Sequence, residues 1–192
     1  MSLPRLLLPI RHHDDRGWLA ETFHNARLRA LGIGCHFVQE NQSYSKRTGT
    51  VRGIHFQKPP SEQAKLVSVV RGRIFDVVVD IRRNSPSFGM HVSAELSAES
   101  GLQLYIPAGF AHGFVTLEND VVVNYKLSAF YASEHEGGIR WDDPDVAVAW
   151  PIKPNAITLS EKDRQLPLLK DLDSPFAYDG APLSPLSAPE GF

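Results

Sequence analysis

Residues 51–82 read VRGIHFQKPPSEQAKLVSVVRGRIFDVVVDIR. From Leu66 to Arg82, apolar and β-branched residues fill two runs broken at Arg71-Gly72, the pattern of two strands joined by a turn. In the second run Phe75, Val77, Val79 and Ile81 share one face; Asp76 and Asp80 share the other with Ile74 and Val78. Upstream, Val51 to Lys65 places Arg52, His55 and Lys65 on a strand-like stretch and its loop. Arg52 is permanently charged, His55 brings an imidazole, the side chain suited to exchanging protons, and Lys65 is a point charge suited to an oxyanion. A fixed cation, a titratable imidazole and a second cation have the makings of a site.

The same texture continues on both sides. Residues 3–10 and Trp18 to Phe23 read as strands around a turn at Asp14-Asp15-Arg16-Gly17. Asn25 to Leu31 is a short helix, with Asn25 as its cap and Gly32 as its stop. His36 to Ser43 alternates with Phe37, Gln39, Asn41 and Ser43 on one face; neither face is apolar, which suits a polar cavity. Further strands are expected at His91 to Leu96, Leu102 to Ile106, Gly113 to Leu117 and Val121 to Leu127. Strands at short spacing without alternating long helices imply an antiparallel barrel or sandwich. Leu159 to Leu169 holds a short helix beginning at Ser160. Residues 1–173 read as one domain, and the Pro-rich 174–192 as a loosely ordered tail or a segment wrapped on a neighbour.

The 192 residues suffice for one sizeable core. With 42% hydrophobic residues, 22% charged and a net charge of −2, the composition is that of a soluble globular protein. There is no basic field for nucleic acid and no apolar run that spans a membrane. The single cysteine, Cys35, allows no internal disulfide and points to a reducing, cytoplasmic setting; it reads as a small packed hydrophobe.

His112 lies in IPAGFAHGF, and Pro-x-Gly-x-x-His resembles the second signature of the cupin barrels, where that histidine often holds a metal. A metal-binding cupin would offer His-x-His and a glutamate; residues 55–57 are His-Phe-Gln and the next charge is Lys65, a poor divalent site. A histidine satisfied by hydrogen bonds inside the barrel is the plainer reading of His112.

Several blocks then match one family in order: DDRGWLAETF, FVQENQS, RGIHFQKPPSEQAKLVSVVRGRIFDVVVDIRRNSPSFG, LYIPAGFAHGFVTL, VVNYKLSAFYASEHEGGIRWDDPD and LSEKD. Over about residues 5–170 the chain resembles the dTDP-4-dehydrorhamnose 3,5-epimerases. The resemblance implies a cupin-like antiparallel β barrel (jelly roll) with a few short helices, usually a homodimer, with no metal or other cofactor. It implies proton abstraction beside the C4 ketone of dTDP-4-dehydro-6-deoxy-D-glucose and reprotonation on the opposite face. By resemblance His55 is the base, Asp163 its supporting carboxylate, Lys65 the stabiliser of the enolate oxygen and Tyr125 the acid. Arg16 and Arg52 resemble the pair that meets the diphosphate, and Glu21, Gln39 and Asn41 match positions around the nucleotide. Tyr131 is placed at the nucleotide, His112 in the sugar pocket and Trp141 nearby. Arg16 and Glu21 are candidates to serve a neighbouring subunit.

Other readings stay open. Ser160 and Asp163 form a Ser-x-x-Asp helix cap, Tyr125 alternates with Val121 and Val123 as a core residue would, and Lys65 suits a solvated turn. Asp76, on a mixed face, receives no role. Rival functions are a mono-epimerase acting at C3 or C5 only, a metal-dependent cupin dioxygenase, and a non-catalytic nucleotide-sugar binder.

Overall fold

A computed structural model describes residues 3–178 and 180–192. Its strands are β1 (Arg5–Leu8), β2 (Arg11–Asp14), β3 (Gly17–Ala20), β4 (Gln39–Ser45), β5 (Val51–Gln57), β6 (Lys65–Arg71), β7 (Arg73–Asp80), β8 (His91–Ser97), β9 (Gln103–Ile106), β10 (Phe110–Thr116), β11 (Val121–Leu127), β12 (Glu136–Gly138) and β13 (Glu190–Gly191). Two short α-helices, α1 (Asn25–Ala30) and α2 (Glu161–Arg164), accompany them. A six-stranded sheet runs β13-β1-β9-β6-β11-β4, a five-stranded sheet runs β12-β5-β10-β7-β8, and β2-β3 form a separate hairpin. Every named pair is antiparallel except β1-β13. No helix of the described residues is long and apolar enough to cross a membrane.

The long apolar run of β7 is buried on both faces. Ile74 and Val78 join Val67, Val69, Leu104, Ile106, Phe110, Phe114 and Val123 in the core that both sheets line. Val77, Val79 and Ile81 face the other way, where Ile139, Val146, Leu169 and Phe176 cover the five-stranded sheet. A third cluster, Leu7, Leu28, Ile33, Leu66, Tyr105 and Phe192, seats α1 on the six-stranded sheet. Burial on both sides explains the apolar run between the charges of β7, and why a charge such as Asp76 within it needs a partner.

Several boundaries depart from the sequence reading. The α1 cap is His24, not Asn25: His24 has the extended backbone a cap requires, and its Nδ1 accepts from the Arg27 N–H at 3.3 Å. Gly32 closes that helix with φ +82° and donates to Arg29 O at 2.9 Å. The second expected strand stops at Ala20, and the one expected at His36 to Ser43 runs from Gln39 to Ser45 because β11 pairs with it over that whole length.

The largest departure is the C-terminal segment, which packs on its own chain. Phe176 and Phe192 are buried, Arg83 and Ala177 form a parallel bridge, and β13 pairs with β1. The Arg5 guanidinium holds the Glu190 carboxylate, and the Leu183 N–H donates to Ser87 Oγ at 2.7 Å. Scattered aromatic anchors, not periodic apolar residues, bind this segment, so its sequence looks looser than its structure.

Candidate active site

Arg52 and His55 lie three residues apart on β5, a spacing that puts side chains on opposite faces of a regular strand. The register against β10 resolves this: His55 opposes His112 and Arg52 opposes Phe114, so Gly53 and Ile54 together face Gly113 alone. This bulge rotates β5 and turns Arg52 and His55 to the same side. Gly53 makes it possible, with φ +112° and room for hydrogen only: a Cβ there would meet His112 O and Gly113 Cα at 2.7 Å.

His55 Nε2 lies 2.8 Å from Asp163 Oδ1, and the Gly53 N–H donates to Asp163 Oδ2 at 3.3 Å. Asp163 is buried, and burial alone would raise its carboxyl pKa; the hydrogen bond and charge of His55, with the Gly53 N–H, outweigh this and hold it below the ordinary value. Ser160 Oγ caps α2 by accepting from the Asp163 N–H at 3.1 Å. Cap and carboxylate are therefore not alternatives: the backbone of Asp163 closes the helix turn while its side chain reaches His55. With Nε2–H given to Asp163, Nδ1 is the nitrogen of His55 left to take a proton.

The opposite wall comes from the six-stranded sheet. Lys65 on β6 donates to His55 O at 3.2 Å. Burial lowers its pKa to about 8, against the attraction of Asp76 and Glu136. Tyr125 on β11 pairs across the sheet with Asn41 of β4. Arg52, His55, Lys65, His112, Phe114, Tyr125, Ser160, Lys162 and Asp163 line one cavity of about 440 Å³. His55, Lys65 and Tyr125 also line an adjoining space of about 160 Å³ with Asn41, Gln63, Tyr131 and Glu136.

Within that second space the polar groups are tied together. Gln39 Nε2 donates to Asn41 Oδ1 at 2.9 Å, and Gln39 Oε1 accepts from the Tyr131 N–H at 2.9 Å. The Tyr131 hydroxyl donates to Glu136 at 2.6 Å, and Lys162 also holds that carboxylate. Burial would raise the Glu136 carboxyl, but these two donors bring it below its usual range. Arg52 rests on Ser45 Oγ at 3.2 Å and Tyr44 O at 3.0 Å.

The profile of the dTDP-4-dehydrorhamnose 3,5-epimerases matches residues 5–171. The chain belongs to this family. It is 48% identical over 174 residues to the dTDP-4-dehydrorhamnose 3,5-epimerase of Sinorhizobium fredii, covering 91% of this chain and 89% of that one. The crystal structure of the Bacillus anthracis dTDP-4-dehydrorhamnose 3,5-epimerase with TDP and PPi bound is 45% identical, with a TM-score of 0.83 over 86% of this chain and 93% of that one. That of the Legionella pneumophila dTDP-6-deoxy-D-glucose-3,5-epimerase in complex with dTDP-4-keto-L-rhamnose is 38% identical, with a TM-score of 0.85 over 92% of this chain and 100% of that one. The two-sheet barrel is thus the cupin fold of these epimerases, and the chain is an isomerase.

Of the residues expected in an epimerase site, His55, Lys65, Tyr125, Asp163, Arg52 and His112 meet in the larger cavity. Gln39, Asn41 and Tyr131 gather at the smaller one. Arg16 and Glu21 lie elsewhere: Arg16 is exposed at the β2-β3 turn beside Asp14, and Glu21 pairs with Arg27 at 3.2 Å. Trp141 also lies away from the site, beside Asp142 and Pro154 in separate grooves. Gln57 donates to Ser61 O at 2.7 Å and accepts from the Ala132 N–H at 2.8 Å, which ties it to the loops. No cluster of three or more His, Cys, Asp or Glu able to hold a metal occurs among the described residues.

Three residues at the site received no role from the sequence. Glu136 sits in a polar stretch that looks like solvated loop, and Lys162 in the short helix expected from Ser160, where a charged side chain reads as solvent-facing. Asp76 did leave a signal, as a charge within the apolar run of β7. His112 Nε2 lies 2.8 Å from Asp76 Oδ1.

Proposed function

We propose that this cavity epimerises C3 and C5 of dTDP-4-dehydro-6-deoxy-D-glucose, giving dTDP-4-dehydro-L-rhamnose on the route to dTDP-L-rhamnose. His55 Nδ1 takes the proton from a carbon beside the C4 ketone. The electron pair of that C–H bond forms the C–C double bond of an enolate, and the negative charge moves to the C4 oxygen. The Lys65 ammonium steadies that oxygen, and the Tyr125 hydroxyl gives a proton to the same carbon from the other side. Asp163 holds the His55 ring in the tautomer that exposes Nδ1 and stabilises the imidazolium once formed. One observation carries this reading: the His55–Asp163 pair stands on the five-stranded sheet with α2, whereas Lys65 and Tyr125 stand on the six-stranded sheet across the same cavity.

Arg52 is assigned to the diphosphate, where its planar fork matches paired oxygens, and His112 to the sugar. Gln39, Asn41 and Tyr131 receive the nucleotide at the adjoining space. Arg16 and Glu21 serve the cavity of a second copy in a homodimer, which accounts for their place outside this one. Neither metal nor cofactor enters this chemistry, and the free thiol of Cys35 suits a cytoplasmic setting.

Turnover of the keto-sugar in D2O should place deuterium at both C3 and C5. Label at one carbon would make the enzyme a mono-epimerase; label at neither, with folded protein, would overturn the reading. For the shared site, Arg16→Ala and His55→Ala proteins, each inactive alone, should regain activity when mixed and allowed to exchange subunits.

A further inference from the structure

Asp76 is fully buried, yet its carboxylate has no donor among the described residues other than His112. Its one short contact is the 2.8 Å approach of His112 Nε2 to Oδ1. A buried carboxylate without full hydrogen bonding costs several kcal/mol, which packing in a β7 strand does not require. An apolar residue there would join Ile74 and Val78 in the core. The position of this charge is set by the sheet. Asp76 opposes Phe114, and Val78 opposes His112, so Asp76 and His112 are diagonal neighbours on the inner face. His112 in turn opposes His55 on β5. The site therefore contains two carboxylate–imidazole pairs, Asp76–His112 across β7 and β10 and His55 of β5 with Asp163 of α2, and only the His55–Asp163 pair has a role so far.

We propose that Asp76 is a positioning residue for the sugar end of the site: it holds His112 as the Nε2–H tautomer, leaving Nδ1 as an acceptor, and it is the buried counter-charge of the Lys65 ammonium. The proposal rests on the epimerase reading of the cavity. Lys65 donates only to His55 O among the described residues, at 3.2 Å, so its remaining N–H bonds are available to a substrate oxygen. The charged and titratable groups that share its cavities are Asp163 and Lys162 from α2, Arg52 and His55 from β5, His112 from β10, Tyr125 from β11, Glu136 from β12 and Tyr131, with Asp76 of β7 behind them. Asp76 and Glu136 supply the negative charge. Glu136 already accepts from Tyr131 and Lys162, whereas Asp76 has only His112. Burial keeps His112 toward its neutral form despite Asp76, and neutral His112 can point a lone pair at a sugar hydroxyl.

The test is Asp76→Asn, which keeps the shape and removes the charge. In a folded variant kcat should fall about 10²-fold, the cost of a misplaced reacting group. Affinity for dTDP should stay within about twofold, since the nucleotide end is untouched. The alkaline limb of the kcat profile should move to lower pH, because Lys65 loses the charge that favours its protonated form. Unchanged kcat and an unmoved limb would overturn the proposal; a lower kcat with an unmoved limb would assign Asp76 to packing and overturn it too. If the variant does not fold, ¹⁵N-histidine spectra of the unsubstituted protein decide, with the His112 signal identified by its loss in His112→Gln. The Nε2–H tautomer supports the proposal, and Nδ1–H overturns it. Deuterium incorporation by the unsubstituted enzyme tests the epimerase reading separately, so the two failures are distinguishable.

Discussion

At the scale of single residues, the proposed mechanism separates the task of removing a proton from the task of returning it. His55→Ala should lower epimerisation by about 10²–10⁴-fold, the range for a lost acid–base group, while dTDP binding measured by calorimetry persists. Tyr125→Phe should differ in kind. Net epimerisation falls by a similar factor, but deuterium still enters the unconverted sugar, because His55 can take a proton and return solvent deuterium on one face. Lys65 must be charged to steady an enolate, and burial brings its pKa to about 8. Activity should therefore fall as pH rises through about 8, and Lys65→Arg, which stays charged, should remove that limb from the pH–rate profile. Asp163 has the opposite sign. Its folded pKa lies below the ordinary 3.8, so its contribution to stability is present above that pH and is lost as acid protonates the carboxylate.

At the scale of elements, two local devices make the residues converge. The β5 bulge at Gly53-Ile54 turns Arg52 and His55 to one side. Gly53→Ala would force a Cβ against the β10 backbone at 2.7 Å and strain a positive φ, costing about 1–3 kcal/mol. Both a lower urea midpoint and weaker dTDP binding are expected, since Arg52 and the Gly53 N–H move with it. The second device is α2, a single turn whose Ser160 cap positions Asp163. Ser160→Ala should cost about 1 kcal/mol in urea denaturation and reduce kcat, because the His55 partner loses its anchor. The residues of these devices were legible individually. VRGIH and LSEKD both stood out, but a strand period of two put Arg52 and His55 on opposite faces, and Ser-x-x-Asp suggested a cap in place of a catalytic carboxylate.

At the scale of the whole molecule, the 174–192 segment belongs to the folded unit. Phe192 completes the cluster under α1, and Phe176 stacks edge-on against Phe56, the neighbour of His55, with ring centroids 5.9 Å apart. Phe192→Ala should cost about 3 kcal/mol and lower the Tm, with kcat near that of the unsubstituted enzyme below the transition.

The strand pattern, the short α2 and the absence of a His-x-His-Glu metal signature follow from the sequence itself, and the family resemblance in it proposes the four residues for catalysis. Alternation of side chains is a local property of each strand, and block order reveals the family without knowledge of contacts. Tertiary structure decided what depends on pairing between distant strands. It set the bulge register that unites Arg52 with His55, the position of Glu136 and Lys162 beside Tyr131, and the return of the C-terminal segment onto β1. It also gave Asp76 a partner. A lone carboxylate in an apolar strand is only an anomaly until the diagonal neighbour on β10 proves to be His112, because the cost of burying a charge is settled by what the fold brings to it.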